Sequence, residues 1–257
     1  GYGADRGMIA KHCPDIAAAV YHGSETSRGD ALRIGERLGA RSDFLDAYQG
    51  HGALAQRTST LVGWATIMHG GIMVDTTGRR FGDESTGYSE YGPQLAARPG
   101  ATGWIILDQR VHDLCLPFTD FRQTVDGGAL VWADDAAGLA EATGLPADAL
   151  AEELAATEET ARGEGSDRFG RTSFEAPLTP PYAAVKVMPA LFHTQGGLVV
   201  DGHARVLTAD DTPIPGLYAS GGAATGISGH GAAGYLAGNG LLPALGLAYL
   251  AANDLPA

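Results

Sequence analysis

The residues best placed to approach a ligand crowd the end of the sequence, where Gly221-Gly222, Gly229-His230-Gly231 and Gly238-Asn239-Gly240 follow one another. They lie in a run from Thr212 to Asn253 that holds no Asp, Glu, Lys or Arg. Glycines this dense let backbone N–H groups come close to a flat or anionic ligand with no side chain between, although they also serve close packing of helix on strand. Each G-x-G is a weak signal alone: no G-x-G-x-x-G stands directly after a strand pattern, and no Walker lysine is present. The eight histidines offer no metal site, because no two have helix i, i+4 or strand i, i+2 spacing with a third ligand nearby. Cys13 and Cys115 have neither zinc-ligand spacing nor the density of a disulfide scaffold, so two buried thiols in a reducing, cytoplasmic setting are expected.

Five segments read in order are more specific. They are Gly1-Tyr2-Gly3-Ala4-Asp5-Arg6, Gly29-Asp30, Gly78-Arg79-Arg80-Phe81-Gly82-Asp83-Glu84, Phe192-His193-Thr194-Gln195-Gly196-Gly197-Leu198 and Ile214-Pro215-Gly216-Leu217-Tyr218-Ala219-Ser220-Gly221-Gly222. Their order and separations resemble the FAD-dependent fumarate reductase and succinate dehydrogenase flavoprotein superfamily, in the branch that also holds 3-ketosteroid dehydrogenases. The G-R-R-F-x-x-E and H-T-x-G-G pieces carry the resemblance together, and it covers essentially the whole chain. It implies an α+β fold: the C-terminal part of a Rossmann-like FAD-binding domain, residues 1–46 and 193–257, interrupted by an α+β capping domain, residues 47–192. It implies FAD as cofactor, with the fingerprint that holds the pyrophosphate upstream of residue 1. The opening Gly1-Tyr2-Gly3 is turn-like with no element to turn from, so the chain is expected to be a piece of something longer.

The resemblance also implies roles, residue by residue. Asp30 matches the acidic residue of a turn that contacts the flavin, although Ala31 replaces the glycine that follows. His193 matches a residue against the isoalloxazine, and Gly240 and Leu241 match backbone donors to its pyrimidine edge. Gly222 stands where a glutamate binds the ribityl chain or ribose, which removes one contact to FAD. On the substrate side, His51 matches a histidine that binds a carboxylate in fumarate reductases. The other positions of that group depart from dicarboxylate chemistry: Tyr88 and Tyr235 replace two arginines, Phe192 replaces a histidine, and Trp64 and Ile67 stand where a glutamate and an arginine deliver protons. Phenols cannot give the bidentate carboxylate recognition of guanidiniums.

A tyrosine at position 88 is also what the ketosteroid dehydrogenases show. The resemblance therefore implies an oxidoreductase acting on a C–C bond next to a carbonyl in an apolar, steroid-like substrate. Tyr88, Tyr235 and His51 would be catalytic, and Phe192, Gly238 and Trp64 would border the substrate. The plainer reading of Tyr88 is an exposed loop tyrosine in Tyr88-Ser89-Glu90-Tyr91, and of His51 a polar residue at a domain edge. A competing expectation is a non-catalytic fragment that cannot bind FAD alone, or a subunit completed in trans.

The elements that must carry these residues are legible in outline. Asp30 at an N-cap position and Gly39 at a left-handed C-terminal one bound a short helix. Ile72–Asp75, a Thr76-Thr77 step with Gly78, and Arg79–Phe81 read as a hairpin, and Trp104–Leu107 as a buried strand. Helices are expected from Asp134 to Thr143 and from Pro146, in its first turn, to about Arg162. Strands return at 183–187, 197–201, 204–207 and 216–220, and a last helix runs from Pro243 to Asn253.

Composition sets outer bounds. In 257 residues, 30 acidic side chains face 17 basic ones, giving a net charge of -13 and a pI near 4.9. Nucleic acid and anionic membrane are excluded as expected partners, because both need concentrated positive charge. A small carbonyl-containing substrate and an electron acceptor or donor are the expected partners. The longest apolar candidate for a span, Leu241 to Ala252, carries Pro243 and Gly246 and falls short of the roughly 18 residues a span needs.

Overall fold

The computed structural model describes residues 1–255, in two compact units. The first contains residues Gly1–Gly50 and Leu191–Ala257, and the second His51–Ala190. In the first unit the opening turn leads at once into α1 (Arg6–His12), capped by the Asp5 carboxylate on the Met8 N–H. β1 (Val20–Tyr21), α2 (Asp30–Arg37) and β2 (Ser42–Asp43) follow. β3 (Tyr48–Ala55) carries the chain into the second unit.

There the order is α3 (Ala65–Met68), β4 (Ile72–Asp75), α4 (Tyr88–Ala96), β5 (Gly103–Asp108), α5 (Gln109–Cys115) and α6 (Thr119–Asp126). β6 (Leu130–Ala133), α7 (Ala136–Thr143) and α8 (Ala147–Ala161) come next, and β7 (Tyr182–Thr194) returns to the first unit. β8 (Gly197–Leu198), β9 (Arg205–Leu207), β10 (Pro213–Tyr218) and α9 (Leu241–Asp254) complete the chain.

In the second unit the antiparallel order β6-β7-β5-β4 is set by residues that are apolar on consecutive positions, as buried strands require. Val185 pairs with Ile105 on one side and Leu130 on the other, and Ile106 pairs with Ile72. Ile72, Val74, Ile105, Leu107 and Val185 are fully buried, and α7 and α8 add Leu139, Leu150 and Leu154 to the same core. In the first unit β2 pairs with β8, β9 pairs with β10, and Leu198, Val206, Ala219 and Ala224 form a smaller core.

Several boundaries differ from the sequence reading for definable reasons. The N-cap of α2 is Gly29, at φ +80°, so Asp30 is the first helical residue and caps nothing. Pro146 is the N-cap of α8 rather than a member of its first turn. Residues 79–81 add only one bridge, Val74 with Arg80, to the turn after β4. β7 runs through Pro189 to Thr194, past the expected end at Val187. The pairings with β5 and β6 end at Val187 and Val185, so the missing N–H of Pro189 costs no bond to either strand. No helix among the described residues is long and apolar enough to cross a membrane.

The second unit is knit by a buried charge cluster. Glu84, with no solvent exposure, accepts from Arg80 Nε at 2.8 Å, Arg80 Nη2 at 2.7 Å, Arg171 Nη1 at 3.2 Å and the Met73 N–H at 3.0 Å. Arg171 also donates to the carbonyls of Gly71, Ile67 and Ser173, and Arg80 to Asp167. Burial pulls both guanidiniums down. At Arg80 two carboxylates, Glu84 and Asp167, outweigh it, whereas Arg171 shares Glu84 and feels the charge of Arg80, so burial wins there. Both still carry their proton at any ordinary pH.

Removing the charge at Glu84 takes the carboxylate from buried Arg171 and leaves buried Arg80 with Asp167 alone, so Glu84→Gln should lower the unfolding free energy of the protein by about 3–5 kcal/mol. A loss below about 1 kcal/mol in urea denaturation would show that the cluster does not bind the unit together. For Asp167, burial acts upward but is overcome by Arg80 and the N–H groups of Arg171 and Phe169, leaving a net downward shift. Its contribution to stability is present above the ordinary carboxylate pKa and is lost as pH falls through the depressed value. Asp167→Asn should therefore flatten the acid side of a stability–pH curve; an unchanged acid side would refute this.

Candidate active site

In the second unit, three of the expected substrate residues converge. Tyr88 opens α4 directly after Gly87, whose φ of +128° few other residues tolerate. The turn before it, Glu84–Thr86, is capped by the Asp83 carboxylate on the Ser85 N–H at 2.8 Å. Tyr88 is thus a half-buried helix residue and not the exposed loop residue of the plainer reading. Pro93 inside α4 obscured this, because it has no N–H to give to the preceding turn.

The Tyr88 ring stacks on His51 from β3, with centroids 5.1 Å apart and 21° between planes. The Trp64 indole meets His51 edge-on at 5.8 Å, and its Nε1–H donates to the Glu84 carbonyl at 3.2 Å. The charge cluster thereby orients one wall of this aromatic group. The Ala53 N–H donates to His51 Nδ1 at 3.0 Å. A backbone N–H can only donate, so Nδ1 keeps its lone pair and the ring proton sits on Nε2. One turn after Tyr88, Tyr91 is fully buried between Trp64 and Phe81, and its hydroxyl has no partner among the described residues.

In the first unit, a second group forms around His193, near the end of β7. A cavity of about 210 Å³ is lined by His193, Thr194, Gly222 and Gly240 together with Gly1, Gly3, Tyr21 and Ser27. Gly240 is the N-cap of α9, and no side chain caps that helix. A Cβ on Gly240 would lie 3.9 Å from His193 Cε1, in ordinary contact with the ring, so the glycine keeps this part of the cavity wall free of a side chain. Tyr235 approaches His193 edge-on at 6.3 Å. Burial lowers the pKa of His193, which favours a neutral ring at pH 7.

The other expected residues are less central. Phe192 packs edge-on against His22 at 5.3 Å. Gly238, at φ +88°, offers its carbonyl to the Leu242 N–H, and Leu241 is 75% exposed at the start of α9. Asp30 does not line the cavity; it is exposed, pairs with Arg33 at 3.4 Å and follows Gly29, whose N–H donates to the Gly1 carbonyl. Among the described residues no group of three His, Cys, Asp or Glu could hold a metal ion.

Sequence reasoning missed what holds the glycine-rich loop. Gln195, Ser228 and Asn239 are 3–5% exposed. Asn239 Oδ1 accepts from the N–H groups of Ile227 and Ser228, and Ser228 Oγ lies 2.6 Å from Gln195 Oε1. Amides and a hydroxyl thus fix a segment with few side chains of its own. Only the contrast of Gln195 and Asn239 with the small residues around them hinted at this. Asn239→Ala leaves two N–H groups without their acceptor, so stability should fall by about 2 kcal/mol and exchange at the Ile227 and Ser228 amides should accelerate selectively. Unchanged protection at both amides would contradict the assignment.

Comparison with known proteins places this geometry in context. The profile of the FAD binding domain family matches residues 1–241. The 3-oxosteroid 1-dehydrogenase of Mycolicibacterium smegmatis is 31% identical over 275 residues, covering 91% of this chain and 47% of that protein. The probable fumarate reductase Ifc3 of Shewanella frigidimarina is 28% identical over 231 residues, covering 90% of this chain and 39% of that protein. The chain therefore spans less than half the length of these relatives. Among solved structures, the open conformation of a flavocytochrome c3 fumarate reductase superposes with a TM-score of 0.77 at 27% identity, over 98% of this chain and 44% of that one.

Proposed function

The chain belongs to the FAD binding domain family of flavoprotein oxidoreductases, and from that premise we propose that it oxidises or reduces a C–C bond adjacent to a carbonyl in an apolar substrate. Its first unit would hold the isoalloxazine end of FAD, and its second unit would act as the capping domain and bind the substrate. The residues present suit the cofactor. The N-terminus of α9, where Leu242 already gives its N–H to Gly238 and Pro243 has none, would offer the N–H groups of Gly240 and Leu241 and positive partial charge to the electron-rich edge of a flavin, and Gly222 and Gly240 add no side chains to the cavity beside His193. FAD, when bound, supplies hydride transfer to or from one carbon of the reacting bond.

The observation that carries the substrate reading is the stack of Tyr88 on a neutral His51. A phenol beside an uncharged imidazole suits a carbonyl better than a carboxylate, which calls for guanidinium. In the reducing direction the Tyr88 hydroxyl gives a proton to the carbon next to the carbonyl; in the oxidising direction its oxygen, having first lost that proton, takes one back from the same carbon. Trp64 gives apolar surface beside Tyr88 in the second unit, and Tyr235 and Phe192 are the candidate substrate residues that the first unit contributes. An external electron acceptor or donor completes the cycle, and a reducing, cytoplasmic setting suits the buried, unpaired Cys13 and Cys115. This reading sides with the relative named for oxosteroid oxidation over the one named for fumarate reduction.

A second reading is favoured by α9, where Leu241, Leu242, Leu245 and Tyr249 are each more than 60% exposed. Such an apolar face fits a chain that needs a further segment, in cis or in trans, before it holds FAD.

With flavin-loaded protein, Tyr88→Phe should lower turnover of a cyclic enone or its saturated ketone by about 10²–10⁴-fold, with little change in KM. Fumarate should be the poorer substrate of the unsubstituted protein. Unchanged turnover in the variant would remove Tyr88 from the mechanism, and a preference for fumarate would sink the carbonyl reading.

A further inference from the structure

The buried polar chain beside His193 has a direction that can be read from its fixed end. The Leu236 N–H donates to Ser228 Oγ at 3.1 Å, which leaves the serine proton for another acceptor. Ser228 Oγ stands 2.6 Å from Gln195 Oε1, a separation usual for O–H···O and short for N–H···O. The carbonyl end of the Gln195 amide therefore faces Ser228, and its NH₂ end faces His193, with Nε2 3.1 Å from His193 Nδ1. An amide NH₂ only donates, so Nδ1 must accept. On the other side of the ring, Nε2 would lie 4.0 Å from a Cβ on Gly240.

We propose that Gln195 is a positioning residue that holds His193 as the neutral Nε2–H tautomer, so that the ring presents a hydrogen-bond donor and not a lone pair on the side of Gly240. The proposal deepens the reading given above and rests on it for its purpose, since that is where the flavin ring would lie. A donor there favours negative charge on the edge of a reduced acceptor without placing a fixed cation in the cavity. A lone pair there would oppose it. The burial that lowers the pKa of His193 keeps the neutral form in place. The loop thus carries a device that its glycines alone could not supply: Leu236, Ser228 and Gln195 relay the fixed polarity of a backbone N–H to the protonation site of a ring.

The test needs no cofactor. Long-range ¹H–¹⁵N spectra of histidine-labelled protein report which ring nitrogen carries the proton, and a His193→Phe variant identifies the resonance. Without FAD, His193 should show a protonated Nε2 and a bare Nδ1. Gln195→Glu replaces the donor by an acceptor and should move the proton to Nδ1. Finding Nδ1–H in the unsubstituted protein, directed for instance at the Thr194 carbonyl, would overturn the proposal without recourse to any variant. An Nε2–H form that Gln195→Glu leaves unchanged would overturn the role of Gln195. Adding FAD afterwards separates this from the cofactor reading: if the expected tautomer is present but saturating FAD leaves the His193 resonances in place, the lock stands and the flavin site fails.

Discussion

Glu84 is a carboxylate with no access to water, and the second unit is organised around giving it partners. Desolvating such a group costs several kcal/mol, and the offset comes from geometry: a two-point contact with Arg80, a third cation contact from Arg171, and a backbone N–H from β4. Each partner reaches a different element. Arg171 ties the carbonyls of Gly71 and Ile67, and the Glu84 carbonyl holds the Trp64 indole. Four residues after Glu84 comes Tyr88, so the cluster that anchors the strand-to-helix passage also sets where the phenol begins its helix.

The first unit solves the opposite problem. Its glycine-rich segment between β10 and α9 has few side chains with which to define a shape, and no charges. Order comes instead from neutral buried groups, with the Asn239 and Gln195 amides and the Ser228 hydroxyl taking N–H groups of the loop or passing their polarity on. The result leaves four glycines, one imidazole and the uncharged side chains of Tyr21, Ser27 and Thr194 at the cavity wall. A neutral scaffold suits a flat, electron-accepting ring, because a fixed charge would favour one oxidation state regardless of substrate.

Much of this could be read from the residues, and the exceptions share a cause. The short buried strand at 104–107 and the two helices ending at Thr143 and near Arg162 followed their patterns, because composition and burial agree there. α4 and the long β7 were obscured by Pro93 and Pro189, whose local preference was overridden by the surrounding packing. At the candidate site, His51, Trp64 and Tyr88 stand together, as do His193, Gly222 and Gly240. The pairing of Gln195 with Ser228 could not be read from the sequence, where the two stand 33 residues apart and only the contrast of Gln195 with its small neighbours gave a hint.

On this account the cavity of about 210 Å³ lined by His193, Gly222 and Gly240 receives the flavin ring. Gly240 has φ −68°, which any residue adopts, and a Cβ there would stand in ordinary contact with His193, 3.9 Å from Cε1, so Gly240→Ala places a methyl at the cavity wall without straining the fold. Equilibrium titration of the protein with FAD, followed by its visible absorbance, should show saturable binding of one flavin per chain and at least a tenfold weaker affinity in the variant, about 1.4 kcal/mol. Absence of saturable binding, or equal affinity in the two proteins, would contradict the account.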